Sequence, residues 1–272
     1  MARSAAPFRG GPLTRRRLDL ELVRRGLAST RTTAQRLIAA GRVVVHGVPE
    51  PRPATLVDQQ AAVSVTDDGP RWASRGGVKL AAALESLGVD CAGRRCLDVG
   101  ASTGGFTDVL LVRGAETVTA VDVGYGQLAW RLRSDPRVAV FDRTNFRLAD
   151  PAALGAPFDL VTADVSFISL RLLAPNLAAC GRPGTEYVVL VKPQFEVGRR
   201  QVRRGGLVTD SQMHRFALQG VADGFAAAGL GTKGAHPSPI TGATGNREFF
   251  LHAVWGRALQ PATPSFDEVV LS

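Results

Sequence analysis

Two lysines and two carboxylates fall where side chains from distant parts of the chain can meet. Lys79 follows Ser74-Arg75-Gly76-Gly77-Val78 at the start of an expected helix. Asp164 ends the run Asp159-Leu160-Val161-Thr162-Ala163, and Lys192 ends the strongly apolar run Tyr187-Val188-Val189-Leu190-Val191. Glu248 follows Gly245-Asn246-Arg247 and opens Phe249-Phe250-Leu251. A lysine beside another cation in a partly dry site gives up its proton more readily and can then act as a base. Carboxylates next to it fix the direction of its nitrogen. Such a group suits removal of a proton from a weak nucleophile such as a sugar hydroxyl. Lys192 is the expected base or orienter, tuned by Asp164 and Lys79, with Glu248 closing the network. Taken singly, each residue would be read as an exposed charge or surface ion pair; the case rests on their arriving together at element ends.

The elements that must position them begin with Cys96-Leu97-Asp98-Val99-Gly100-Ala101-Ser102-Thr103-Gly104-Gly105-Phe106-Thr107. This is a short apolar strand that ends at an acid, opens into a glycine-rich turn and starts a helix. Glycine there lets backbone approach a ligand closely. The candidate ligand-binding residues of the turn are Gly100, Ser102, Gly104, Gly105 and Phe106, the last as a pocket wall or core residue. A second strand, Thr117 to Val121, ends at Asp122, 24 residues after Asp98, where an acid suits ribose hydroxyls. The turn lacks the G-x-G-x-x-G spacing that brings amides up to a pyrophosphate. S-adenosylmethionine, which has no phosphate, is therefore the expected ligand rather than a dinucleotide. It carries an activated methyl group and a good leaving group, so methylation of a ribose 2′-hydroxyl with it calls for no metal.

Strands are expected at 95–99, 117–121, 137–141, 158–163, 186–191 and 247–254, with helices between them. This alternation implies an α/β, doubly wound, Rossmann-like sheet. In such a sheet ligands bind beyond the carboxyl ends of the strands, where Asp164 and Lys192 lie. Glu248 reaches that edge only if the last strand runs antiparallel. The expected domains are a basic arm at 1–14, a small α+β module at 15–66, a linker at 67–73, the α/β domain at 74–258 and a tail at 259–272.

The 272-residue chain is 45% apolar and carries a net charge of +9. Residues 1 to 60 hold eleven arginines against four acids, a local excess of +7. A basic module ahead of a nearly balanced body points to a polyanion, because neutralised phosphates release condensed counterions. Within it, Leu18, Leu20, Leu22, Val23 and Leu27 suggest a helix stopping near Gly26, and Ser29 to Thr33 cap a second helix ending at Gly41. Arg42 to Val48 reads as a strand and turn, and Ala61 to Val65 as a further strand. The candidate RNA-contacting residues are Arg16, Arg17, Arg24, Arg31, Arg36 and Arg42, on outer faces. Three cysteines give neither zinc spacing nor a disulfide framework, which fits a reducing cytoplasm. The N-terminus has no apolar stretch of a secretory signal, and no segment has the roughly 20 apolar residues of a membrane span. Four scattered histidines offer no metal site.

The run "RLDLELVRRGLASTRTTAQRLIAAGRVVVHG" resembles an S4-like RNA-binding domain. The body resembles the FtsJ-like 2′-O-methyltransferases. More closely, residues 16 to 255 are similar to the TlyA family through "SRGGVKLAAALE", "CLDVGASTGGFTDVLL", "AVDVGYGQL", "DLVTADVSFISL", "VLVKPQFEVGR" and "SPITGATGNREFFL". The resemblance implies methyl transfer from S-adenosylmethionine to cytidine 2′-hydroxyls of bacterial ribosomal RNA, docked through the S4-like module. It further implies that Asp98, Gly100 and Gly104 shape the cofactor pocket, that Asp122 holds ribose and that Asp142 lies near adenine. Some members modify large-subunit RNA alone and others both subunits; the basic stretch before Leu27 leans towards both. Members also carry the name haemolysin, which the absence of an apolar anchor opposes. An RNA-binding assembly factor without activity is the other alternative. Arg199, Arg200, Arg203 and Arg204 form a charge run after Lys192, suited to phosphate contact.

Overall fold

The computed structural model describes residues 15–39, 41–46, 48–49, 52–66, 72–256 and 265–272. The expected arm at 1–14, most of the linker and residues 259–264 of the tail lie outside them. The chain divides into two compact units between Arg71 and Trp72.

The first unit runs β1 (Arg15–Arg17), α1 (Leu18–Arg24), α2 (Arg31–Ala39), β2 (Val43–Val45), β3 (Val48–Pro49), β4 (Leu56–Asp58) and β5 (Val63–Val65). Helix α1 ends at Arg24, near the stop expected at Gly26, which turns the chain with φ 72°. Thr30 supplies the cap of α2 by accepting from the Thr33 amide at 3.1 Å. Leu18, Leu22, Ala34, Ile38, Val43 and Val57 form the small core. Strand β2 pairs antiparallel with β3 and β5, as the sequence leads one to expect. The pairing of β1 with β4 was not expected, since no strand was read at 15–17 or 56–58; Arg16 stands opposite Val57.

The second unit continues with α3 (Arg75–Leu87), β6 (Arg95–Val99), α4 (Gly105–Val112), β7 (Thr117–Val121), α5 (Trp130–Arg133) and β8 (Val138–Phe141). Then come β9 (Leu160–Ala163), α6 (Ala174–Ala179), β10 (Glu186–Val191), α7 (Pro193–Glu196), α8 (Ser211–Ala227), β11 (Leu230–Pro237), β12 (Phe249–Trp255) and α9 (Phe266–Leu271). The sheet order is β11-β12-β10-β9-β6-β7-β8. Strands β8, β7, β6, β9 and β10 are parallel, and β12 runs antiparallel to β10. Burial on both faces makes the central strands near-continuous apolar runs. In β10, Tyr187, Val189 and Val191 join one core, while Val188 and Leu190 join the other.

Two features depart from the sequence reading. Strand β11 was missed, because Leu230 to Pro237 holds two glycines, a lysine and a proline; it pairs with β12 as an edge strand with a register shift between Thr232 and Gly234. The end of the expected tail instead forms α9, capped reciprocally by Ser265 and Glu268, with Val269 and Val270 buried.

Candidate active site

Strand order reverses between β6, whose carboxyl end carries the glycine turn, and β9, whose carboxyl end carries Asp164. Ligands bind at such a switch point, and a cavity of about 540 Å³ opens there. Gly100, Ser102 and Asp122 line it on one side, and Asp164, Ser166 and Phe167 on the other. Gly100 sits at φ 83°, and a Cβ there would press into the Asp164 carbonyl oxygen, so the turn closes only around glycine. Asp122 accepts from the Ser102 amide at 2.8 Å and the Gly124 amide at 2.6 Å. A carboxylate has about four lone-pair sites, so two remain for a diol. The cavity fits a nucleoside-like group.

The same edge gathers the four chemistry-bearing residues in two ion pairs. Lys192 Nζ lies 2.6 Å from Asp164 Oδ1 and donates to Ser166 Oγ at 2.9 Å. Lys79 Nζ donates to Glu248 Oε2 at 2.5 Å. The antiparallel course of β12 meets the condition set for Glu248: Val191 is paired with Phe249, so Lys192 and Glu248 occupy the next position outward. Lys79 stands in the second turn of α3 rather than at its start, since Ser74 caps the helix by accepting from the Gly76 amide at 3.2 Å. Glu196 in α7 is buried and ties the neighbouring loop down. It accepts from Ser169 Oγ at 2.5 Å and the Leu170 amide at 2.8 Å. The segment after Lys192 thus grips the segment after Asp164.

Several expected cofactor residues do not line the cavity themselves. Asp98 is fully buried beneath the turn, accepting from Thr107 Oγ1 at 2.6 Å and Thr162 Oγ1 at 3.4 Å. Burial pushes its carboxyl up to about 7, against the lowering pull of the Thr107 hydroxyl. Gly104 caps α4 against Leu128 and Leu132, and Gly105 lets α4 approach Ser74 and Gly77 of the α3 entry. Phe106 is core, stacked on Phe250 with centroids 6.1 Å apart. Asp142 is outside the cavity lining: it pairs with Arg133 and accepts from the Gly126 amide at 3.2 Å, and Arg133 lowers its carboxyl. Its expected wall is formed instead by Thr144, Asn145, Phe146 and Arg147. The sequence carried no motif for that stretch, which follows β8 through a turn at Arg143 with φ 53°. Gln127 and Ser166 were missed as well. A second cleft, about 670 Å³ between α8 and α9, holds none of the expected residues.

In the first unit the expected RNA-contacting arginines are not simply free on outer faces. Asp19 and Glu21, both fully buried, hold Arg17 at 3.0 Å, Arg31 at 3.0 Å and Arg24 at 2.6 Å. Hydrogen bonds from Arg17 and Arg24 keep the two carboxyls below their ordinary range. Arg16 approaches Glu21 at 3.9 Å, Arg42 donates to the Thr66 carbonyl at 2.8 Å, and Arg36 is exposed. The side chains of Arg17, Arg24 and Arg31 remain 39%, 42% and 54% exposed, oriented by the acids beneath them.

The FtsJ-like methyltransferase family matches residues 72–255, and the S4 domain matches residues 16–63. The chain belongs to the FtsJ-like methyltransferases. Within that family it is 52% identical over 238 residues to a Mycobacterium tuberculosis protein named 16S/23S rRNA (cytidine-2′-O)-methyltransferase TlyA, covering 87% of this chain and 89% of that one. A Campylobacter jejuni protein named 23S rRNA (cytidine-2′-O)-methyltransferase TlyA is 36% identical over 187 residues, 67% of this chain and 71% of its own. A solved structure from Streptococcus thermophilus that carries a hemolysin name is 39% identical, with a TM-score of 0.74 and 95% of each chain covered. Like that FtsJ-like match, the parallel sheet with one reversed strand bears out the expected α/β fold behind an S4 module. Among the described residues no helix is long and apolar enough to cross a membrane.

Proposed function

We propose that this protein methylates the 2′-hydroxyl of cytidine in bacterial ribosomal RNA, with S-adenosylmethionine as the methyl donor and the cytoplasm as its place of action. The observation that carries the reading is the line of Asp164, Lys192, Glu248 and Lys79 along the carboxyl edge of the sheet, beside a cavity that suits a nucleoside. The donor, when bound, supplies an activated methyl group and a neutral sulfide leaving group.

The chain's own residues then have two tasks, binding and proton removal. Asp122, with lone pairs to spare beyond its two backbone amides, holds the donor's ribose hydroxyls, and Asn145 and Arg147 wall the base side. Asp98 supports the turn from beneath. In its neutral form Lys192 has two N–H groups and one lone pair. With Ser166 accepting one N–H group and the Asp164 carboxylate holding the nitrogen as an ion-pair partner, the lone pair is left for the 2′-hydroxyl. The hydroxyl proton passes to that amine as the new carbon–oxygen bond forms. Glu248 balances Lys79 from the strand paired beside β10, whose end carries Lys192. Phe167, 91% exposed at the cavity edge with φ 66° and a ring 5.2 Å from Phe195, offers a face on which a base drawn out of the RNA can stack.

The S4 unit, with its oriented arginines, supports RNA docking. The relative named for both 16S and 23S rRNA is the more similar of the two methyltransferases compared, which favours action on both subunits. The test is transfer of labelled methyl from S-adenosylmethionine to separated small and large subunits, with Lys192→Ala alongside. The expected outcome is label in RNA of both subunits with the natural enzyme. The variant should lose transfer by at least about 100-fold, the scale of general base catalysis, while donor binding measured by calorimetry stays nearly intact. Normal transfer by the variant would remove Lys192 from the chemistry. Absence of label in either subunit would favour the assembly-factor reading.

A further inference from the structure

The arginine run between Lys192 and Glu248 is built as an anchored hairpin. The Arg203 amide donates to the Leu207 carbonyl and the Gly206 amide to the Arg203 carbonyl, each at 2.9 Å. These bonds close a turn through Arg203-Arg204-Gly205-Gly206. Gly205 and Gly206 have φ of 90° and 81°, and no atom stands within 4 Å of where a Cβ would be. The tip is therefore bare backbone in open space, flanked by two exposed arginines. It gives a long polymer room to approach.

The root is rigid and tied to the reacting edge. Asn246, 1% exposed, accepts from the Val208 amide at 2.8 Å. It also donates to the Gly206 carbonyl at 2.7 Å and to Thr244 Oγ1 at 3.1 Å. His214 Nε2 donates to the Val208 carbonyl at 2.8 Å. Asn246 lies two residues before Glu248, and the other end of the segment leads back through α7 to Lys192. The hairpin thus shares its supports with both ion pairs of the candidate active site.

Its charge is uncompensated. Elsewhere in this unit Arg94, Arg131, Arg133, Arg137, Arg171, Arg182 and Arg215 each meet a carboxylate. Arg75, Arg95 and Arg247 donate to backbone carbonyls, and Arg143 lies over Tyr125, while Arg147 at the cavity is a further arginine with no ion pair among the described residues. Arg200, Arg203 and Arg204 meet no carboxylate among the described residues. A rigid, locally unneutralised basic turn with an open tip is suited to the sugar–phosphate backbone of RNA.

We propose that the Arg203–Gly206 hairpin contacts phosphates of the RNA strand that carries the target ribose and so seats that ribose at Lys192. This rests on the RNA-methyltransferase reading. The test uses the full chain with the double variant Arg203→Ala/Arg204→Ala, and large ribosomal subunits lacking the modification as the probe. We expect KM for the subunits to rise about tenfold, with the loss falling on KM rather than kcat. The slope of log affinity against log salt should fall by about 1.5, for two contacts at roughly 0.7–0.9 each. Affinity for S-adenosylmethionine should stay within twofold. The double lysine variant, Arg203→Lys/Arg204→Lys, should restore most of the slope, since phosphate contact needs the charge. Unchanged KM and slope in the alanine variant would overturn the proposal, as would a fall in kcat at unchanged KM. Failure of the natural enzyme to label the subunits would instead overturn the functional reading.

Discussion

At the scale of single residues, Asp98 shows how a motif position can matter without facing the ligand. The sequence marks it as the acid that ends a strand before a glycine turn. Strand alternation then turns its side chain towards α4, into a fully buried place where Thr107 and Thr162 are the partners. Burial raises its carboxyl to about 7, so the folded state favours the protonated form. The stabilisation this brings is complete below the ordinary carboxylate range near 4 and is lost as pH rises through about 7. Asp98→Asn should remove that loss. Its melting temperature, relative to the natural protein, is expected to climb between pH 5 and pH 8.5 in scanning calorimetry. A difference that stays flat across this range would mean that the carboxyl is ionised throughout.

At the scale of elements, α1 uses its first turn to hold charge rather than to expose it. Asp19 and Glu21 are fully buried and serve as fixed anchors for arginines on α1, α2 and β1. Arg24 and Arg25 hold the Glu21 carboxyl down to about 2. A lowered value gives stability that is present above the unfolded value near 4 and lost as pH falls through about 2. Glu21→Gln should therefore flatten the acid unfolding of the first unit between pH 4.5 and 2, and should destabilise it by about 2 kcal/mol near neutrality. Circular dichroism melts at a series of pH values would read both effects. Equal acid sensitivity in the variant would show that another group controls it. The arginine-rich pattern was legible as a basic module. Which arginines are committed to buried acids was not, because that depends on how β1 and β4 close over the helix.

At the scale of the whole molecule, charge and chemistry are divided between two compact units. The arginine excess sits in the first, and the cavity with its ion pairs sits in the second. A chain comprising residues 72–272 should keep its affinity for S-adenosylmethionine and lose at least about tenfold in affinity for ribosomal subunits, with a shallower salt dependence. Calorimetry with the donor and filter binding with the subunits measure the two sides. Full RNA affinity in the shortened chain would confine recognition to the second unit.

The sequence by itself determined the α/β class, the positions of the central strands and the four polar residues that stand in two ion pairs at the sheet's carboxyl edge. Buried parallel strands must be long apolar runs, and a polar residue at the end of such a run has few places to be. It also determined the S4 module, whose capping and turn residues are local in the chain. Tertiary structure alone decided the rest. Glu248 joins Lys79 because β12 runs antiparallel beside β10, a direction no local pattern encodes. Asp142 is drawn to Arg133, and the stretch from Thr144 to Arg147 takes the cavity wall, because the turn after β8 folds back at Arg143. Strand β11 exists only because β12 offers it an edge, and Ser166 reaches Lys192 only because Glu196 fastens the loop from a segment 26 or more residues away. Contacts between residues far apart in the chain are set by which surfaces pack, and packing is a property of the folded whole.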